Sequence, residues 1–179
     1  MAQYGLIRRL WLTRLSQPVG ERAIYRHILR SPPKRIMEIG VGTLVRTERL
    51  LGLAGSRATD GPLHYVGLDR FEGRQPTDPP GVSLKQAHQR LHALARVQLV
   101  PGNTDASLSR LCNHLGVFDL VLVSADNDQR HLERSWFFIQ RLVNAQTTVL
   151  VEGEAGVWQQ IDKGRIDELA ARTVLKRVA

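Results

Sequence analysis

Cysteine is nearly absent from this 179-residue chain: the single one, Cys112, stands in an apolar helical pattern, SLSRLCNHLG. One thiol can close no internal disulfide and build no cysteine zinc site, so a secreted disulfide scaffold is excluded and a reducing cytoplasm fits. No apolar run reaches the roughly eighteen residues that a membrane-spanning helix needs, which predicts a soluble protein. Internal repeats and low-complexity segments are also missing. The length is about that of one domain, with 42% hydrophobic residues to form a single core.

Acidic residues are scarce at the start. Residues 1 to 35 hold eight basic side chains (Arg8, Arg9, Arg14, Arg22, Arg26, Arg30, Lys34 and Arg35) against one acid, Glu21, whereas the rest of the chain holds 17 against 16. Of the formal charge of +8, seven units belong to residues 1–35, so the basic character lies in a leading arm, residues 1–34 with Arg35 at its boundary, and the body that follows, residues 35–179, is close to neutral. The arm reads as two short helices. Leu6, Ile7, Leu10, Trp11 and Leu15 form one stripe of the first, and Ile24, Tyr25, Ile28 and Leu29 one stripe of the second. This predicts an amphipathic pair docked on the domain, with arginine heads in water and their stems over apolar surface. An Arg-rich, acid-free start also matches a transit peptide in composition, and phosphates or anionic lipids are its other natural partners.

From residue 35 short apolar strands alternate with helical stretches, the pattern of βαβ units and a parallel sheet. Strands are expected at 35–39, 64–69, 97–101, 118–124 and 147–152, with helices near 43–54, 83–95, 105–115 and 128–144. The unbroken apolar runs in the last two strands imply burial on both faces. The fold class is α/β, a Rossmann-like, doubly wound, mostly parallel sheet of about six strands. Beyond Glu152 the pattern fits either two helices or a helix followed by a short strand, TVLKRV. Two turn-rich loops, AGSRATDGP and FEGRQPTDPPG, stand out; the second follows a strand's carboxyl end, where a lid would sit, although a solvated connector explains it more simply.

The strongest constellation is IMEIGVGT. A strand carrying Glu38 runs into Gly40, Val41 and Gly42 and then a helix, so the backbone turns sharply and its amides are available to a ligand. The next strand ends in Asp69, a carboxylate placed to accept both hydroxyls of a ribose. A dinucleotide fingerprint would need glycine where Val45 stands, and a pyrophosphate disfavours a carboxylate such as Glu38 at the mouth of its loop. These features suit a nucleoside cofactor without phosphates.

Over roughly residues 20–152 the chain resembles the class I S-adenosylmethionine-dependent methyltransferases. EIGVGT matches their first motif, with Leu44 in place of a third glycine. By that resemblance Glu38, Gly40 and Gly42 line the cofactor, Asp69 binds its ribose, and Gly102, Asn103 and Thr104 of VPGNTDASL flank its adenine. SADND, residues 124–128, matches the fourth motif and adds Ser124. Within the class the chain looks most like small O-methyltransferases of the catechol or caffeoyl type. Those carry a metal-binding acid where Ser124 stands, a lysine where Asn127 stands, and an acid and amide where Glu152 and Gly153 stand. The expected chemistry is therefore methyl transfer to a small-molecule acceptor without a metal, with Asp126 or His131 as the base if the acceptor is a hydroxyl. Asp128 doubles as a helix N-cap.

The remaining features read more plainly. His88 and His92 have metal-pair spacing but no third ligand, and suit a solvated helix face. Trp136, Phe137 and Phe138 suit a helix packed on the sheet, Trp158 a pocket wall, and Asp119 a structural role away from the ligand edge. A noncatalytic binding module, or an RNA methyltransferase guided by the basic arm, is the alternative reading. A homo-oligomer is compatible with either.

Overall fold

The computed structural model describes residues 4–57, 61–125 and 129–178. Two helices come first, α1 (Leu6–Arg14) and α2 (Arg22–Arg30). There follow β1 (Arg35–Ile39), α3 (Val45–Gly55), β2 (His64–Asp69), α4 (Leu84–Leu91), β3 (Arg96–Pro101), α5 (Thr104–Leu115), β4 (Leu120–Val123), α6 (Gln129–Ile139), β5 (Thr148–Glu152), β6 (Trp158–Ile161) and α7 (Lys163–Val178). The strands form one sheet in the order β3-β2-β1-β4-β5-β6, with every neighbouring pair parallel except β5 and β6. This is the expected doubly wound sheet, with its topological switch between β1 and β4.

Side-chain alternation divides the core in two. Ile36, Tyr65, Leu120, Leu122 and Leu150 face one side with α2, α3 and α4, while Met37, Ile39, Val66, Leu68, Val121, Val123 and Val149 face the other with α5, α6 and α7. Trp136 and Phe138 belong to the second layer, as a packed helix requires. Glu38 is one residue from Met37 and Ile39, and so is forced onto the first face with Tyr65. Asp119 accepts from the amides of Lys34 and Arg35 at 2.7 and 2.8 Å, tying β1 and β4 together at the edge away from the site.

Beyond Glu152 the order differs from the sequence expectation: a short antiparallel strand precedes one long helix. The TVLKRV segment lies in α7, because Asp162 accepts from the Arg165 amide at 2.8 Å and starts a helix whose residues Ile166 and Ala170 are buried.

The arm docks, but of the predicted stripe of α1 Trp11 packs against the core while the other four members do not. Leu6, Ile7, Leu10 and Leu15 are exposed, and Leu12, on the opposite side, is buried in the same cluster as Ile24, Tyr25 and Ile28 of α2. The predicted stripe ignored where the helix is held. Tyr4 lies against Gly52 of α3, where any Cβ would collide with its ring, and Arg9 donates to the carbonyl and hydroxyl oxygens of Ser56 at 3.4 Å each. Glu21, the arm's one acid, is buried and accepts from the Tyr25 hydroxyl at 2.7 Å, with Arg49 3.5 Å away.

Leu12→Ala should cost about 2–5 kcal/mol in urea unfolding and Leu10→Ala less than about 0.5 kcal/mol, the reverse of what the sequence stripe implies. Burial raises the Glu21 pKa against the opposing pull of Tyr25, Arg46 and Arg49. A carboxyl raised in the folded state binds its proton more tightly there than in the unfolded chain, so stability falls as pH rises through the folded value. Glu21→Gln should accordingly gain on the parent protein between pH 4.5, the ordinary value, and neutrality, measured as the difference in unfolding free energy.

Candidate functional site

Parallel strands put all their carboxyl ends at one edge, and the loops leaving that edge are stitched together there. The Gly40 amide donates to Leu68, Ser124 to Ile39 and Gly102 to Asp69, at 2.8, 2.9 and 2.9 Å. The residues expected around a cofactor are thus brought to one edge in sequence order: the glycine turn beside the end of β2, then the Gly102 loop beside that.

Glu38 is the anchor of the turn. It has no exposed surface, and one oxygen accepts from Arg46 Nε at 2.7 Å while the other accepts from the hydroxyls of Thr47 and Tyr65 at 2.7 Å each. Its placement is therefore beneath the loop, which it shapes from below. Tyr65 reaches Glu38 because the residue opposite Glu38 on β2 is Gly67, where a Cβ would meet the Tyr65 ring at 2.9 Å. Burial, then the charge of Glu38 and its hydrogen bond, push the Tyr65 pKa well above the ordinary value, so the phenol remains a donor.

The turn itself takes positive φ at Gly40 (85°), Gly42 (57°) and Leu44 (70°). Leu44 occupies the position of the family's third glycine and keeps a glycine-like conformation, at a cost of about 1–2 kcal/mol offset by its complete burial.

Asp69 closes the turn from the β2 side. Its Oδ2 accepts from the amides of Val41 and Gly42 at 2.9 and 3.0 Å and from Arg74 at 2.7 Å, and its Oδ1 accepts from the Phe71 amide at 3.1 Å. The FEGRQPTDPPG loop is largely exposed, as a solvated connector would be, but it is tied to Asp69 through Arg74, which also reaches the Pro79 carbonyl, and Arg70 pairs with Asp78 at 2.7 Å. Arg74 Nε is buried with no hydrogen-bond partner among the described residues.

Across the switch point Arg46 lies between the two halves. Besides Glu38 it donates to the Gly40 carbonyl at 2.7 Å, approaches Glu152 at 3.8 Å, and rests over the Trp158 ring, 4.9 Å from its centroid. Burial disfavours its charge, but Glu38, Glu152 and Glu21 outweigh that and raise its pKa. Ser124, buried, donates to Glu152 at 2.7 Å, and the Ala125 amide donates to the same oxygen at 3.1 Å. The indole nitrogen of Trp158 is buried and has no partner among the described residues. Three carboxylates (Glu38, Asp69, Glu152) and two guanidiniums (Arg46, Arg74) meet here.

Of the candidate bases, Asp126 lies outside the described residues, as do Asn127 and Asp128. His131, on the first turn of α6, is not simply turned to water: its Nδ1 is 2.8 Å from Asp105 Oδ1 on the first turn of α5. Asn103 is exposed at the start of α5, and Thr104 is buried. His88 and His92 are exposed on α4 with stacked rings, His92 bonding the carbonyls of its own helix. Arg46, Thr47, Tyr65, Gly67, Arg74 and Asp105 were not singled out by sequence. Arg46 and Asp105 had a positional signal, each standing in the first turn of a helix that follows a site loop.

Neither a family profile nor a curated protein matches the chain. Solved structures do. The O-methyltransferase TomG from Streptomyces achromogenes, solved with S-adenosylmethionine, matches with a TM-score of 0.56 and 17% identity, over 98% of this chain and 78% of that one. The Podospora anserina methyltransferase PaMTH1, bound to S-adenosylhomocysteine, gives 0.53 and 17%, over 95% and 78%. The fold is that of these methyltransferases. MycE, from the mycinamycin pathway, is much longer; at a TM-score of 0.49 and 16% identity, 86% of this chain covers 36% of it. Within the methyltransferase fold, the site loops described above leave the sheet edge at which such α/β folds bind ligands.

The strain at Leu44 has a direct test. Leu44→Gly should unfold at higher urea than Leu44→Ala, by about 1 kcal/mol, although it removes more of the side chain.

Proposed function

We propose that the chain binds S-adenosylmethionine at the β1-β2-β3 loop edge and transfers its methyl group to a small-molecule acceptor. The observation that carries this reading is the carboxylate of Asp69, fixed by two amides of the glycine turn at the end of β2. Its Oδ1 has only the Phe71 amide among the contacts above, which leaves it lone-pair capacity for a ribose hydroxyl. The surplus of one carboxylate over the guanidiniums around the site also suits a cationic ligand. These features fit the cofactor.

S-Adenosylmethionine supplies an electrophilic methyl group on a sulfonium. What the protein supplies is position. Asp69 and the Gly102–Thr104 loop hold the nucleoside end, while Gly40 and Gly42 let the backbone come close to the methionine end. Glu38 and Arg46 fix the turn. For a hydroxyl acceptor His131 is the base we assign: Asp105 holds Nδ1, which orients the ring and keeps Nε2 as the available nitrogen. The Ser124–Glu152 hydrogen bond occupies the place where the catechol-type relatives carry metal-binding acids, which supports a metal-independent reaction. The single cysteine, buried on α5, supports a reducing cytoplasm as the compartment.

Calorimetric titration with S-adenosylmethionine and S-adenosylhomocysteine, with NAD as control, tests the reading. Micromolar binding of the first two is expected, weakened about 10- to 150-fold in Asp69→Ala by loss of about 1.5–3 kcal/mol of charge-assisted hydrogen bonding. Absence of binding to the folded parent protein, or unchanged affinity in the folded variant, would overturn it.

A further inference from the structure

The outward face of α1 is apolar on a helix whose other face is already docked. Leu6 and Ile7 are 83% and 86% exposed and Leu10 is 50% exposed. The helix has not simply been left loose: Leu12 is buried, Tyr4 lies against Gly52, Arg9 holds Ser56, and Arg8 covers the Tyr4 and Trp11 rings at 5.6 and 5.0 Å from their centroids. Leu10 lies one helical turn from both Leu6 and Ile7, so the three large side chains project together as a ridge.

The exposed charges of the arm have one sign. Arg8, Arg14, Arg26, Arg30 and Lys34 are exposed, and the arm's only acid, Glu21, is buried against Tyr25. On α2 the buried residues Ile24, Tyr25 and Ile28 place Arg26 and Arg30 on the solvent side of that helix. The arm thus presents cations and aliphatic side chains and no anion.

We infer that this arm is a peripheral docking surface for an anionic lipid bilayer, with Leu6, Ile7 and Leu10 entering the headgroup boundary and the arginines pairing with lipid phosphates. A second copy of the chain fits poorly, because pairing two such ridges would bring like charges together. Three side chains also fall far short of the roughly 800 Å² per partner of a stable protein interface. A nucleic acid would engage the cations but leave the aliphatic ridge in water. A fluid, negatively charged interface satisfies both, and apolar burial and electrostatic attraction add as two weak signals do in peripheral proteins.

Vesicle co-sedimentation of the full chain tests this, using phosphatidylcholine alone and phosphatidylcholine with about 30% phosphatidylglycerol. Binding is expected only to the anionic vesicles. It should weaken at least about tenfold in Leu6→Ser/Ile7→Ser/Leu10→Ser and, separately, in Arg14→Gln/Arg26→Gln/Arg30→Gln. Thermal unfolding checks that each variant remains folded; should the apolar triple fail, Ile7→Ser alone must still weaken binding. No sedimentation with anionic vesicles overturns the inference, as does equal binding to neutral ones or full retention by the folded apolar variant. A dimer in solution that the apolar substitutions dissociate, without vesicle binding, would reassign the ridge to self-association. Salt-sensitive binding of a short RNA, unchanged by the apolar substitutions and unaccompanied by vesicle binding, would reassign the arm to phosphate guidance.

Discussion

A carboxylate with no exposed surface sits at the end of the central strand, and the rest of the site is arranged around the need to compensate it. An isolated buried charge is untenable, so Glu38 gathers a guanidinium and two hydroxyls from two elements of the chain: Arg46 and Thr47 on α3, and Tyr65 on β2. Each partner has a further consequence. Arg46 also grips the Gly40 carbonyl, which locks the glycine turn, and its reach toward Glu152 links the two halves of the sheet across the switch point. Tyr65 requires that residue 67 have no side chain. The turn is therefore preorganised by a charge network lying behind it, and ligand groups meet a backbone already held in place.

The neighbouring acid is arranged differently. Asp69 has small but real exposure, and its partners are backbone amides and the side chain of Arg74. Glu38 is committed to structure, whereas Asp69 retains acceptor capacity at the surface of the site. Two carboxylates one strand apart thus differ in kind: one is wholly enclosed beneath the loop, and the other is the group that the proposed function assigns to the ligand.

Much of this was legible in the residues because it rests on short-range rules. Unbroken apolar runs marked β4 and β5 as buried on both faces, turn residues bounded the strands, and parallel order then dictated that EIGVG, Asp69, GNT and Ser124 share one edge. Pairings between helices and strands distant in sequence were not legible. Nothing in the letters says that Arg46 finds Glu38 and Trp158, that Gly67 exists to admit Tyr65, or that Asp105 reaches His131 on another helix. The arm shows the same limit. Apolar periodicity found the helix and its amphipathic stripe, but which side is buried depends on Gly52 and Ser56 of α3, and the side with the lone Leu12 won. In the tail, the β-branched letters of TVLKRV suggested a strand, while the Asp162 cap and the spacing of Ile166 and Ala170 committed the segment to helix.

The Ser124–Glu152 pair bears on the kind of methyl transfer proposed for this site. A divalent cation needs several oxygen ligands with charge to spare, but Glu152 already accepts from Ser124 and the Ala125 amide through one oxygen, with Arg46 close to it. A cation entering there would be repelled by Arg46 and would have to break those bonds. With a positively charged cofactor the same arrangement is favourable: the network retains one excess negative charge and the guanidiniums are tied down by the acids beneath them. Since displacement from a sulfonium loses charge at the reaction centre as it proceeds, little electrostatic stabilisation of a developing anion is required. In the proposed reaction the burden falls on alignment, for which the turn locked by Glu38 and the histidine held by Asp105 are the groups we assign.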